Sequence, residues 1–266
     1  MKTLMKWLAT MRISWRKQLS YKLNLLLLVV GPSVVFFFVK YSLWTAIFSM
    51  PGVAKIQGYD RSGMLDYQIW SLIVAFLVQG YNSMNLSEDI RLGRISAFLV
   101  YPFGFWSFQT ASFLAFQGIQ LITALVTLGL MVLGGFLSHW EGPHLLSGLL
   151  FCGVASLFWY QVSYLIGLVT LWLEETWVLR VMFAMVAQFL SGAFLPLEMF
   201  PEPLVHALRW TPFPYLTYAP VKVFMGQFAD SMVFALAILG LWIGILALVT
   251  QVVWRRGMRL YTAAGM

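Results

Sequence analysis

Apolar residues in this chain run in long unbroken blocks, and the polar positions collect between the blocks instead of alternating with them. A block of about 20 apolar residues reads as a membrane-crossing helix, because lipid offers backbone N–H and C=O groups no partner but each other. Six such spans are predicted. The first runs from Leu23 to Phe48, and Gly31-Pro32 near its middle predicts a kink. The second covers Leu65 to Leu86 and the third Phe105 to Leu137, long enough to tilt. The fourth covers Leu145 to Leu173, the fifth Trp177 to Leu195 and the sixth Ser231 to Trp254.

The segments between the blocks differ in kind. Pro51, Gly52 and Gly58 break the chain after the first span. A charged run, Ser87-Glu88-Asp89-Ile90-Arg91-Leu92-Gly93-Arg94, follows the second, and Pro102 closes that connection. Residues 196–230 hold Pro196, Pro201, Pro203, Pro212, Pro214 and Pro220 among apolar and aromatic residues. That pattern predicts short helices re-entering the outer leaflet, which is tolerated where the backbone packs against protein. Residues 1–22 carry Lys2, Lys6, Arg12, Arg16, Lys17 and Lys22 with no acid. At helical pitch Leu4, Leu8, Met11, Trp15 and Leu19 share a side with Trp7, and Lys6, Arg16 and Lys17 fall largely opposite. This describes an amphipathic helix lying on anionic lipid headgroups. A signal-peptide n-region fits less well, since the segment is long and no small-x-small cleavage site follows the apolar run.

Composition sharpens the picture. The chain is 61% hydrophobic and only 10% charged, against about 25% charged residues in soluble domains. That excludes an ordinary soluble enzyme, a secreted disulfide scaffold and a disordered regulator. The net charge of +7 does not point to nucleic acid, because the basic residues sit at the ends of apolar blocks. With both termini inside, twelve of the 17 Lys and Arg residues fall on cytoplasmic segments, so the positive-inside rule favours six spans with N-in and C-in. The expected fold is therefore all-α and polytopic: an interfacial helix (1–22), a six-span domain (23–254) with an inner loop (87–104) and an outer re-entrant segment (196–230), and a cytoplasmic tail (255–266). Cys152 is the single cysteine and allows no internal disulfide.

Candidate chemistry is sparse. No G-x-x-x-x-G-K-[ST] loop is present, so the chain does not bind ATP by that route. The predicted spans offer neutral polar residues in place of the ionisable coupling groups of ion-driven carriers: Gln79, Asn82, Asn85, Gln117, Gln120, Gln161, Ser163, Gln188 and Ser191. Lys40, in the outer part of the first span, can snorkel to headgroups. His139-x-Glu141-x-x-His144 lies in a turn with Gly142-Pro143, lacks the H-E-x-x-H spacing and reads as an interfacial loop; no metal site and no catalytic residue is assigned. Gly240-x-x-x-Gly244 permits a close helix approach.

The order of these features resembles the permease subunits of type-2 ABC exporters, in the subfamily of small six-span permeases that pair with a separate ATPase. The best-matching stretches are Leu43-Trp44-Thr45-Ala46-Ile47-Phe48, Ile56-Gln57-Gly58-Tyr59, Met64-Leu65-Asp66-Tyr67 and Glu88 to Ile95. Where the family commonly ends the inner loop with a Leu-Arg-Pro type sequence, this chain has Val100-Tyr101-Pro102. The resemblance implies that Glu88, Asp89, Ile90, Arg91, Gly93 and Arg94 form a coupling helix that docks on the ATPase. It also implies Mg-ATP on that partner and no cofactor in this chain, a second identical or paralogous permease copy, and a bacterial inner-membrane location. Substrate would pass between two copies, with Gln79, Asn82, Asn85, Gln188 and Ser191 as candidate lining residues; the substrate class is a hydrophobic or cationic drug-like molecule or a lipid. The plain reading of those five is helix–helix hydrogen bonding. The plain reading of the charged loop is positive-inside anchoring by Arg91 and Arg94, with Glu88 and Asp89 at a helix N-terminus. A secondary carrier, a membrane-embedded lipid enzyme and a non-transporting anchor are the competing readings; the first lacks an intramembrane ionisable group and the second a convergent set of His, Asp or Glu.

Overall fold

The computed structural model describes residues 2–20, 22–79, 84–96, 104–137, 142–173 and 175–260. Among them lie ten α-helices and no strand: α1 (Lys2–Ser20), α2 (Lys22–Phe48), α3 (Arg61–Gln79), α4 (Met84–Arg91), α5 (Phe105–Leu133), α6 (Gly142–Leu168), α7 (Trp177–Leu190), α8 (Glu202–Leu208), α9 (Tyr218–Phe224) and α10 (Met232–Leu260). Three helical stretches among the described residues are long and apolar enough to cross a membrane: Phe105–Leu133, Gly142–Leu171 and Met232–Arg259. Large apolar side chains such as Ile122, Leu130, Val186, Phe189, Leu241 and Leu248 stand exposed along α5, α7 and α10. In water such a surface would aggregate; in lipid it is the solvent-matched face.

α3 sits at the centre, packed by α2, α5, α6 and α9. Twelve of its 19 residues are buried, among them Tyr67, Trp70, Asp66, Gln68 and Ser71. A helix walled by protein keeps polar residues that a lipid-facing helix would not, which is why α3 is less apolar than the outer helices. It begins earlier than the sequence pattern suggests, because Asp60 Oδ1 accepts from the Gly63 amide at 2.9 Å and caps its first turn. At its far end, Gln120 Nε2 of α5 donates to the Phe76 carbonyl at 3.3 Å and Gln117 Nε2 to that of Leu77. These are last-turn carbonyls that the helix itself cannot satisfy.

Other boundaries also shift. α2 continues through Gly31-Pro32 without a break. α7 stops after 14 residues, at Leu190 and not Leu195, since Gly192 turns into the left-handed region at φ +81. α10 runs past Trp254 to Leu260 and takes Arg255, Arg256 and Arg259 into the helix; basic side chains are favourable at a helix C-terminus. The Pro-rich stretch folds as α8, α9 and two 3-10 turns, Leu197–Met199 and Phe213–Tyr215; both turns and α8 open just after a proline, and α9 opens after Thr217.

α1 lies along α5, with Ser14 Oγ and Ser112 Oγ 3.0 Å apart. Trp7, Thr10, Met11, Ser14, Trp15 and Gln18 turn inward at spacings of three and four, while Leu4, Leu8 and Leu19 stay exposed. The apolar side read from sequence is thus divided: Met11 and Trp15 go to the protein, and the leucines face outward.

Candidate functional site

The charged segment after the second predicted span folds as α4 and a reversal at Gly93, whose φ of +69 favours glycine. The reversal lets Arg94 fold back: its Nη2 donates to Glu88 Oε1 at 2.8 Å and its Nε lies 3.4 Å from Asp89 Oδ1. Arg91 Nη1 reaches Glu175 Oε1 at 3.3 Å, across to the segment before α7. Behind that pair, Ser87 Oγ and Thr176 Oγ1 are 3.0 Å apart and Arg180 donates to Ser87. A surface pocket of about 190 Å³ opens between these residues. Burial pushes the Asp89 carboxyl above its usual range, against the opposing pull of Arg94 and of Lys17 on α1. Segments remote in sequence therefore meet at this end of the bundle and leave both charge signs half exposed.

Ile90 does not join them. It is 2% exposed, in an apolar cluster with Leu86, Ile95, Phe105, Phe113, Tyr160, Tyr164, Leu168 and Leu171. Ile90 faces inward because α4 is amphipathic and seats its apolar side on α6, whereas Glu88, Arg91 and Arg94 stay exposed. Leu86 completes the seat. A Cβ built on Gly167 would lie 2.5 Å from Leu86 Cδ2 and 2.9 Å from Cγ, so a larger residue there would displace the Leu86 side chain or α4 with it. Likewise Gly257 of α10 lies against Leu171 and Trp172.

The neutral polar candidates divide. Gln79 Nε2 donates to Thr217 Oγ1 at 3.2 Å, and Ser191 Oγ, fully buried, donates to the same oxygen at 3.1 Å. These bonds tie the end of α3 and the end of α7 to the residue preceding α9. Gln188 is half-buried and its carbonyl receives Ser191 Oγ at 3.4 Å. Asn85 lies in the first turn of α4, and Asn82 lies outside the described residues, as do His139 and Glu141. A Cβ added at Gly240 or Gly244 would meet nothing within 4 Å among the described residues.

Charged groups that the sequence reading left unassigned, outside the six predicted spans, meet at the opposite end of the molecule. Lys222 of α9 is buried and pairs with Glu198 at 2.8 Å. Lys40 of α2 donates to the Ala193 carbonyl at 2.7 Å, and Tyr67 to that of Gly192 at 2.7 Å, so the end of α7 is held from two helices. A cavity of about 440 Å³ lies beside Glu198, walled in part by Tyr218, Ala219 and Phe228 and edged by Glu202 and Arg209. The available signal was that Glu198 and Lys222 stand among apolar residues of a Pro-rich stretch that also holds Glu202, Arg209 and Asp230; buried charges persist only when paired. No spacing rule links them.

Residues 34–265 match the model of a protein family described as ABC-2 family transporter protein. No curated protein matches the chain.

Proposed function

The chain belongs to the ABC-2 family of transporter proteins, and on that premise we propose that it is the membrane-spanning permease subunit of an ATP-driven exporter whose ATPase is a separate cytoplasmic chain. α2, α3, α5, α6, α7 and α10 are the six spans, with both termini inside and residues 196–230 as the outer re-entrant segment. The gathering of α1, α4, Glu175 and the last turn of α10 at one end, and of the Pro-rich segment with Tyr59 at the other, supports this sidedness. Two copies, identical or paralogous, enclose a path for a hydrophobic or cationic drug-like molecule or a lipid. The setting is a bacterial inner membrane, and Mg-ATP binds only the partner.

One observation carries the coupling role: α4 and the turn after it present Glu88, Arg91 and Arg94 outward while Leu86 and Ile90 fix α4 to the bundle. Exposed charges of both signs can pair across an interface and select a partner. A push on α4 cannot be absorbed by sliding, because Leu86 is seated on Gly167. It passes to α6, and through Leu171 and Trp172 against Gly257 to α10. Closure of the ATPase is thereby converted into movement of two spans. α1, bound along α5, gives a second route from the cytoplasmic surface.

The test is co-purification of the tagged chain from its native membrane in mild detergent, followed by an ATPase assay. A stoichiometric ATP-hydrolysing partner is expected, and reversing the charges at Glu88, Asp89, Arg91 and Arg94 abolishes its recovery. A folded chain that repeatedly brings down no ATPase refutes the reading in favour of a carrier or an anchor.

A further inference from the structure

At the end of the bundle opposite α4, three segments converge on one carboxylate. Glu198 Oε1 accepts from Tyr59 Oη at 3.2 Å, from Tyr218 Oη at 2.9 Å and from Lys222 Nζ at 2.8 Å. Tyr59 comes from the loop before α3, Glu198 from the turn after α7, and Tyr218 and Lys222 from α9. The Lys222 ammonium also stands over the Tyr59 ring at 4.5 Å and the Tyr218 ring at 5.8 Å. Tyr59 is aimed by a tight turn in which Ile56 and Tyr59 exchange two backbone hydrogen bonds, at 2.9 and 3.0 Å. That turn holds Gln57 at φ +48, a conformation uncommon for a residue other than glycine, ahead of Gly58 at φ +88. Burial first, and then the Glu198 charge, push the Tyr59 phenol up, so it stays a donor. Yet the second carboxylate oxygen, Oε2, is buried with no hydrogen-bond partner among the described residues. A network saturated on one oxygen and empty on the other is held closed, but less firmly than a fully satisfied one.

We propose that Tyr59, Glu198, Tyr218 and Lys222 form a latch that clasps the Pro-rich segment onto the loop before α3, with Glu198 and Tyr218 forming part of the wall of the solvent-open 440 Å³ cleft beside it. The latch rests on the outer placement of this segment in the exporter reading. Opening it separates α9 from the turn after α7 and carries solvent from the cleft to Ala219, which is now 1% exposed. In an exporter, that is the movement release to the outside requires.

The test uses the full-length chain in right-side-out native membranes and a membrane-impermeant maleimide. Ala219→Cys reports on the cavity wall, Glu202→Cys on the exposed rim, and the buried native Cys152 on general loosening. Glu198→Gln is expected to raise Ala219→Cys labelling about tenfold, the population shift equivalent to about 1.4 kcal/mol, with rim labelling unchanged and Cys152 unlabelled. Tyr59→Phe, which removes a single hydroxyl, gives a smaller rise and guards against a variant that fails to fold. Unchanged Ala219→Cys labelling overturns the latch, as does a rise shared with Cys152. If Glu202→Cys reacts only in inverted membranes, the sidedness of the exporter reading fails instead, and the same Ala219→Cys comparison there still decides the latch.

Discussion

A buried glycine on α6 permits a sharp test of how the bundle is held together. Gly148 faces Phe224 of α9, and a Cβ built on it would lie 2.3, 2.5 and 2.7 Å from three ring atoms. Carbon atoms in contact prefer about 3.5–4.0 Å, so the ring would have to retreat by roughly 1 Å. It has nowhere to go, because its other face is stacked on Trp70 of α3 with centroids 4.6 Å apart and planes 6° from parallel. Trp70 is itself fully buried. Gly148→Ala therefore has to part α6 from α9 or α9 from α3. Overpacking of this kind costs about 1–3 kcal/mol, and loss of good stacking adds about 0.5–1.5 kcal/mol. In lipid, where packing and not water exclusion holds helices together, little offsets it. The comparison is Gly153→Ala on the same helix, where an added Cβ meets nothing within 4 Å. Reversible denaturation in detergent should show Gly148→Ala clearly destabilised and Gly153→Ala neutral or slightly stabilised. Adding Phe224→Leu to Gly148→Ala should recover part of the loss, a coupling of opposite sign to two independent defects. Equal effects at Gly148 and Gly153, or no recovery with the shorter side chain, would refute the ring-on-glycine account.

Three further outcomes follow from the same geometry. Thr217→Val strands the Gln79 amide, leaves the Ser191 hydroxyl only the Gln188 carbonyl, and should cost about 1–3 kcal/mol by thermal melt; an unchanged melt with altered transport would make these residues pathway lining and not helix ties. Arg91→Glu breaks an ion pair whose side chains are 51% and 69% exposed. It should therefore move stability by less than about 0.5 kcal/mol while sharply reducing ATPase co-purification. Asp60→Ala removes the cap of α3 and should cost on the order of 1 kcal/mol. The Gly63 amide, then Ser62, holds the Asp60 carboxyl below its usual range. Its stabilisation is thus present above the unfolded carboxyl's pKa and lost as pH falls through the lowered one, so wild type and Asp60→Ala melts should converge in acid.

Much of this molecule is legible along one dimension. Long apolar blocks in a chain with so few charges admit only helices, and the prolines of residues 196–230 dictate that no long helix forms there. The charged run after Leu86 is marked as a surface segment by composition alone. Helix ends were less legible: α5 stops at Leu133, before Gly134 and short of the Leu137 expected, and α10 passes through its arginines because no local signal stops it.

What only the tertiary structure decided is which residues meet. Nothing in the charged run shows that Ile90 packs into the bundle beside Leu86, and the docking of α4 on α6 decides that. Gln79 and Ser191 looked like a polar path, and Thr217, 26 residues beyond Ser191, takes hydrogen bonds from both. Glu198 and Lys222 appeared as scattered charges until folding set them 2.8 Å apart under two tyrosine hydroxyls. Periodicity and breakers act through neighbours a few residues away, so a sequence displays them directly. Pairing of buried polar groups depends on how separate helices dock, and that is decided by side-chain shape at contacts such as Gly148 on Phe224 and Gly167 on Leu86.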